Sequence, residues 1–112
     1  MITPEKGLGL ACVSPIKANE FIIEYCGELF HETDEEYKKR EIKYKQTNNT
    51  YLFELENGFI LDATKYGNWA RFINHSCMPN SFAEQRIHKK KYHLFIFARK
   101  NIEPGTEITY DY

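Results

Sequence analysis

Apolar and polar positions along this chain fall mostly in short runs bounded by turn residues, and only once at sustained helical spacing. Leu10-Ala11-Cys12-Val13 and Phe21-Ile22-Ile23-Glu24-Tyr25 read as strands, closed by Ser14-Pro15 and by Gly27. A turn near Asn19-Glu20 predicts that these two pair. Tyr51-Leu52-Phe53-Glu54-Leu55 and Phe59-Ile60-Leu61-Asp62 flank Glu56-Asn57-Gly58, whose Asn-Gly pair predicts a hairpin turn with positive φ at both residues. Ser81-Phe82-Ala83 and Tyr92-His93-Leu94-Phe95-Ile96-Phe97-Ala98 give a strand and a buried strand, with Lys89-Lys90-Lys91 as a charged hairpin tip. The turn at Glu103-Pro104-Gly105 is followed by Glu107-Ile108-Thr109-Tyr110-Asp111-Tyr112. One helix is predicted. Thr33-Asp34-Glu35-Glu36 has the capping-box form with Thr33 as N-cap, and Tyr37, Glu41 and Tyr44 follow at helical spacing. Lys38, Lys39, Arg40 and Lys43 form its solvated face, and Gln46-Thr47-Asn48-Asn49 ends it in a polar loop. Trp69 to Ile73 adds one or two helical turns. Short strands dominate, so the fold class is mainly β.

Composition narrows the class. The 112 residues fit one domain able to bury a core, and at 42% hydrophobic they are not a disordered segment. Eight Tyr, eight Phe and one Trp are more aromatics than a core this size needs, so some Tyr hydroxyls find partners or line a cavity. The net charge of -1 predicts no direct nucleic-acid binding. Cys12, Cys26 and Cys77 are an odd, scattered set without a CxxC pair, which predicts reduced thiols in an intracellular setting and falls short of a four-ligand structural zinc site. No apolar run reaches the roughly 18–20 residues of a membrane span, and the first residues lack the apolar stretch of a signal peptide, so a soluble, non-secreted protein is expected.

The densest chemistry lies in Arg71-Phe72-Ile73-Asn74-His75-Ser76-Cys77-Met78-Pro79-Asn80. One long cation, two Asn, a His and a Cys in ten positions can fix a polar ligand, although such residues also cluster in turns for their own backbone bonds. There is no Ser-His-Asp order, no glycine-rich phosphate cradle and no His/carboxylate group at metal spacing; His31, His88 and His93 receive no role. A glycine turn at Gly7-Leu8-Gly9, the Asn74-His75 motif and Tyr110-Asp111-Tyr112 remain. That kit suits a narrow aromatic channel that strips water from an alkyl amine and favours its cation by face contact.

Gly7-Leu8-Gly9-Leu10, Glu24-Tyr25-Cys26-Gly27-Glu28, Tyr51-Leu52-Phe53, Asp62-Ala63-Thr64, Gly67-Asn68, Arg71 to Asn80 and Gly105-Thr106-Glu107-Ile108-Thr109-Tyr110-Asp111-Tyr112 together resemble the ordered motifs of SET-domain protein lysine methyltransferases. The resemblance runs from Thr3 to Tyr112. It implies one SET domain over residues 1–112, with several small β-sheets, short helices and a C-terminal pseudoknot beside the site. It also implies S-adenosyl-L-methionine as methyl donor, a protein or peptide lysine (above all of a histone) as acceptor, and a nuclear, chromatin-regulating role.

By that resemblance Gly7, Leu8 and Gly9 offer backbone groups to the cofactor, with Leu8 standing where many relatives carry Trp. Tyr51, Arg71, Asn74 and His75 hold the cofactor. Tyr25, Phe53 and Tyr110 line the lysine channel, with Tyr25 and Tyr110 beside the reaction, and Tyr112 is the catalytic tyrosine that also touches the cofactor. Asp62 is expected to brace the motif helix. The lysine must lose a proton from a reference pKa of about 10.4, and burial beside a sulfonium cation favours its neutral form through desolvation and like-charge repulsion. Tyr110, two residues before the catalytic tyrosine, predicts mono- or dimethylation, because its hydroxyl fills the space a bulkier methylamine needs. In many relatives the cysteine at position 77 joins three cysteines after the Tyr-Asp-Tyr motif to bind zinc. These 112 residues carry no cysteine-rich segment before Gly7 or after Tyr112, so zinc is not expected and Cys77 has no metal partners. The competing reading is a catalytically silent SET module that binds peptides or partner proteins; Tyr25, Arg71, Asn74, His75 and Tyr112 together argue against it.

Overall fold

The computed structural model describes residues 2–4, 9–46 and 51–111. Gly7, Leu8, Tyr112 and Thr47-Asn48-Asn49 of the polar loop lie outside the described residues. In chain order the strands and helix are β1 (Ile2–Pro4), β2 (Leu10–Cys12), β3 (Phe21–Glu24), β4 (Glu28–His31), α1 (Glu35–Tyr44), β5 (Leu52–Glu54), β6 (Phe59–Asp62), β7 (Asn74–His75), β8 (Ser81–His88), β9 (Lys91–Ala98) and β10 (Thr109–Tyr110), with short 3-10 helices at Glu56–Gly58 and Trp69–Phe72. The expectation of a mainly β chain of several small sheets is met. Two compact units result, one of Met1–Tyr25 and Phe72–Tyr112, the other of Cys26–Arg71.

In the first unit β1 and β2 form an antiparallel pair, and a five-stranded sheet runs in the order β3-β9-β8-β10-β7. Its spine is the β8–β9 hairpin, in register from Ser81 opposite Ala98 to His88 opposite Lys91. The first of these strands runs well beyond the expected Ser81-Phe82-Ala83. Lys89 (φ 51°) and Lys90 (φ 64°) make the two-residue turn, so the charged tip is placed as expected. The second strand is buried on one face alone. Leu94, Ile96 and Ala98 point into the core, while Phe95 and Phe97 lie on the outer face with Phe21 and Phe82. Alternation, with one face solvated, is the antiparallel pattern.

Strands β2 and β3 do not pair, contrary to the sequence expectation. All three residues of β2 are buried, and β3 instead joins β9 across a bulge between Phe21 and Ile23. The chain between them is held elsewhere: Ile16 and Ile102 exchange backbone bonds, and Asn19, at φ 69°, donates its N–H to the Ala98 carbonyl at 2.7 Å. Those bonds turn the chain away from a local hairpin.

The last strand is only two residues long, and its position matters more than its length. Strand β10 lies between β7 and β8, parallel to both, with Tyr110 level with His75 on one side and Ser81 on the other. Residues 76–80, which join β7 to β8, therefore bridge the C-terminal segment. Just before β10, Ile108 N–H donates to the Leu10 carbonyl and Cys12 N–H to the Thr106 carbonyl, at 2.8 and 2.9 Å. Leu10, Ile73, Ile96, Ile108 and Tyr110 are fully buried around this crossing.

In the second unit β6 is the centre of a three-stranded antiparallel sheet, β4-β6-β5. The β5–β6 hairpin forms as the Asn-Gly signal predicts, with Asn57 at φ 59° and Gly58 at φ 79°. Helix α1 begins one residue later than the capping box implied: Asp34 is the N-cap and makes no side-chain cap bond. The Thr33 hydroxyl is taken by His31 Nδ1 at 2.8 Å, and Asp34 Oδ2 accepts the His31 N–H at 2.8 Å, so both potential caps serve the turn before the helix.

Arg40 corrects another expectation. It is no part of a solvated face: its side chain is only 11% exposed, with Nη1 2.7 Å from Glu28 and 3.2 Å from Asp62, and its guanidinium over the Phe30 ring. Asp62, whose carboxylate is fully buried, accepts from Arg40, from the Tyr44 hydroxyl at 2.8 Å and from Thr64 N–H at 2.9 Å. It braces α1 against β6, not the helix of the Arg71–Asn80 motif. Burial alone would raise its pKa, but the bonds from Thr64, Tyr44 and Arg40 outweigh that and hold it below the ordinary carboxylate value.

Candidate functional site

The first unit gathers three of the singled-out motifs. Gly9 has φ +87°, a conformation L side chains rarely adopt. A β-carbon there would overlap the Glu107 carboxylate and come within 3.0 Å of Asn74 Nδ2. Asn74 Nδ2 in turn donates to Glu107 Oε2 at 2.7 Å. Gly9, Asn74 and Glu107 therefore meet, one from the turn before β2, one from β7 and one from the segment leading to β10. His75 Nδ1 stands 3.4 Å from Asp111 Oδ1, both side chains about half exposed. Such an exposed contact orients the ring without contributing much stability.

Asn80 holds this arrangement from below. It is buried, its Nδ2 donates to the Glu107 carbonyl at 2.8 Å, and its Oδ1 accepts from Thr109 N–H and the Ser81 hydroxyl, each at 3.0 Å. Both ends of one side-chain amide thus tie the residues before β10 to the start of β8. Ser76 N–H donates to the Tyr110 carbonyl at 3.2 Å. Tyr25 and Tyr110 are almost wholly buried, 4% and 1% exposed; Tyr25 leaves β3 with its N–H on the Leu94 carbonyl at 2.8 Å.

The second unit brings Tyr51 and Arg71 together. The guanidinium lies over the Tyr51 ring, 5.2 Å from its centroid, and Nη1 donates to the Ala63 carbonyl at 2.8 Å. The Tyr51 backbone is pinned by Thr64 Oγ1, at 3.0 Å from its N–H, and by Ala63 N–H, at 2.8 Å from its carbonyl. A cation fixed on an aromatic face by backbone carbonyls leaves both side chains pre-oriented. Asn68 Oδ1 accepts from Ala70 N–H at 3.2 Å, capping the 3-10 turn that delivers Arg71. Phe53 sits half-buried in β5 opposite Leu61.

The SET domain family matches residues 7–112. The chain belongs to the SET-domain family. Three curated relatives are named as histone-lysine N-methyltransferases. The one called ATXR7 of Arabidopsis thaliana is 43% identical over 104 residues, covering 93% of this SET domain and 7% of the relative. One of Saccharomyces cerevisiae, named H3 lysine-36 specific, is 43% identical over 112 residues, 98% of this SET domain and 15% of the relative. The one called trithorax of Drosophila virilis is 43% identical over 107 residues, 95% of this SET domain and 3% of the relative. The chain thus spans a small fraction of each relative's length.

Within this SET domain the sequence reading missed the residues that hold the site together. Glu107 stood inside a quoted motif without a role, and Asn80 closed another. No local signal exposes either: their partners lie 27 to 33 residues away. Among the described residues no group of three or more His, Cys, Asp and Glu could hold a metal ion, and no helix is long and apolar enough to cross a membrane. Cys77 is exposed.

Proposed function

We propose that this SET domain transfers methyl groups from S-adenosyl-L-methionine to a lysine side-chain amine of a histone tail in the nucleus, stopping at the mono- or dimethyl product. The observation that carries this reading is the meeting of Gly9, Asn74 and Glu107 beside the buried Tyr110 strand. A turn without a side chain and an oriented amide beside it suit the polar parts of that donor. In this reading Gly7, Leu8, Gly9, Asn74 and His75 hold the donor, and the family resemblance assigns Tyr51 and Arg71 to the same role. When bound, the donor supplies an electrophilic methyl carbon.

The protein's part is placement and desolvation. The family resemblance makes Tyr25, Tyr110 and Phe53 the channel residues; an apolar aromatic channel disfavours the ammonium form of the incoming lysine, so its lone pair becomes available. Holding that nitrogen in line with the methyl carbon supplies much of the rate. Tyr112 is the catalytic tyrosine in this reading, and a tyrosine hydroxyl in that role stabilises the charge that develops during transfer. The Tyr110 hydroxyl restrains an already methylated nitrogen. A hydrogen bond of roughly 0.5–1.5 kcal/mol is close to tenfold in rate at about 1.36 kcal/mol per decade, enough to set where methylation stops.

The test is an array of histone-tail peptides with isotopically labelled donor, followed by mass spectrometry of the product. Label on lysine, as mono- or dimethyl-lysine, is expected, and Tyr110→Phe shifts the product toward trimethyl-lysine. Donor binding without transfer to any peptide or intact histone overturns the catalytic reading. Trimethyl-lysine as the main product of the unaltered chain overturns the assigned degree of methylation.

A further inference from the structure

Asn74 can present either its amide oxygen or its amide nitrogen to a ligand, and the two recognise opposite chemistry. Its side chain is exposed at the end of β7, where nothing in its own strand selects one orientation. Glu107 removes the choice. An ionised carboxylate only accepts hydrogen bonds, so the amide atom 2.7 Å from Glu107 Oε2 must be the nitrogen. The oxygen is then turned outward. The same carboxylate fills the space beside Gly9 that any larger residue would claim.

We propose that Glu107 is a positioning residue for the donor site: it fixes Asn74 so that the amide oxygen faces the ligand and accepts from an N–H donor group. The role rests on the proposed use of S-adenosyl-L-methionine, and it adds a polarity to that site. The moiety recognised is an N–H group, which the donor and its demethylated product carry both on the amino-acid nitrogen and on the adenine. Glu107 reaches Asn74 from the segment that leads into β10, so the orientation of the amide depends on the C-terminal strand being in place.

A glutamine at position 107 can still offer an oxygen to Asn74, whereas an alanine cannot. The probe is S-adenosylhomocysteine, titrated by calorimetry well below the melting temperature into the unaltered chain, Glu107→Gln and Glu107→Ala. The alanine variant is expected to bind about tenfold or more weakly, and the glutamine variant to keep most of the affinity. Two analogues separate the sources of the N–H group: one lacks the amino-acid nitrogen, the other has adenine replaced by unsubstituted purine. Whichever group Asn74 accepts from, its deletion weakens binding to the unaltered chain more than to Glu107→Ala. A purely structural role lowers the melting temperature but leaves those ratios unchanged.

Gly9→Ala supplies an arm independent of the ligand. Its loss of thermal stability should be smaller in the Glu107→Ala background, because the overlap with the carboxylate is then relieved, leaving the positive-φ strain and the contact with Asn74 Nδ2. Full affinity in a folded Glu107→Ala chain overturns the positioning role and leaves the proposed function standing. No binding by the unaltered chain overturns the donor assignment, and this role with it, while the Gly9–Glu107 coupling still reports whether the packing is as described.

Discussion

Asp62 offers the sharpest test of what holds the second unit together. Replacing it with alanine deletes an acceptor shared by Thr64 N–H at 2.9 Å, the Tyr44 hydroxyl at 2.8 Å and Arg40 Nη1 at 3.2 Å. Hydrogen bonds to a charged group contribute about 1.5–3 kcal/mol each, so simple addition of three would give about 4.5–9 kcal/mol. Two features lower it. Arg40 keeps Glu28, with contacts at 2.7 and 3.1 Å, and water reaches the partly buried Tyr44 and Thr64 once the carboxylate is gone. A loss of about 3 kcal/mol follows, at the low end of the range for breaking a buried pair by removing one partner. At about 4 °C per kcal/mol for a domain of this size, the melting temperature falls by about 12 °C. Asp62→Asn keeps the shape and an acceptor for Thr64, so it should lose about half as much. Because the folded-state pKa of Asp62 lies below its unfolded value of about 3.9, its contribution is fully present above that pH and disappears as pH falls through the lower folded value. Urea unfolding of the three proteins at pH 7 and at pH 3 decides the matter. An alanine variant within 1 kcal/mol of the parent at pH 7, the threshold of an ordinary substitution, refutes the network as a brace.

Asn80→Ala cuts both bonds that tie the residues before β10 to β8 and should cost about 2–3 kcal/mol; hydrogen exchange at Thr109 N–H should rise with it, and unchanged protection there counts against the lock. Lys89 and Lys90 adopt positive φ at a two-residue hairpin turn, so Lys89→Asn with Lys90→Gly should raise stability by about 0.5–1 kcal/mol, read as a higher urea midpoint. Tyr37 and Tyr44 ionise above the usual tyrosine range, each chiefly because burial opposes the phenolate. Their contribution to stability is complete below pH ~10 and falls as pH rises through the raised values. Ultraviolet titration should therefore show late phenols at Tyr37 and Tyr44, lost one at a time in Tyr37→Phe and Tyr44→Phe, and normal titration of all tyrosines in the folded chain would contradict their burial.

Local chemistry was legible in the sequence wherever neighbours in the chain decide the outcome. Asn57-Gly58 adopts the backbone its residues prefer, and the Lys89–Lys91 tip turns where the apolar alternation stops. Legibility fails where a distant partner decides. Arg40 looked like one more cation on a wet helix face, and only the fold brings Glu28 and Asp62 to it. Strands β2 and β3 had every local reason to pair, but Ile16 and Asn19 are claimed by Ile102 and Ala98 from the far end of the chain. The Asn74-His75 motif was found by its residue types, whereas Glu107 and Asn80 are ordinary letters until their bonds are drawn.

The place of β10 between β7 and β8 constrains the order in which a ribosome can deliver a finished protein. Residues 81–98 emerge early enough to build the β8–β9 hairpin, yet the strand that belongs between β7 and β8 is still to be made. Until residues 106–110 arrive, Leu10 keeps only its β1 partner and Ser81 only its β9 partner, and the other edge of each strand leaves backbone donors and acceptors open to solvent. Partial chains should therefore be the form that chaperones hold and proteases cut. A stall or premature stop a few codons before Thr109 leaves most of the secondary structure able to form, but not the strand that carries Tyr110 and pairs with Asn74.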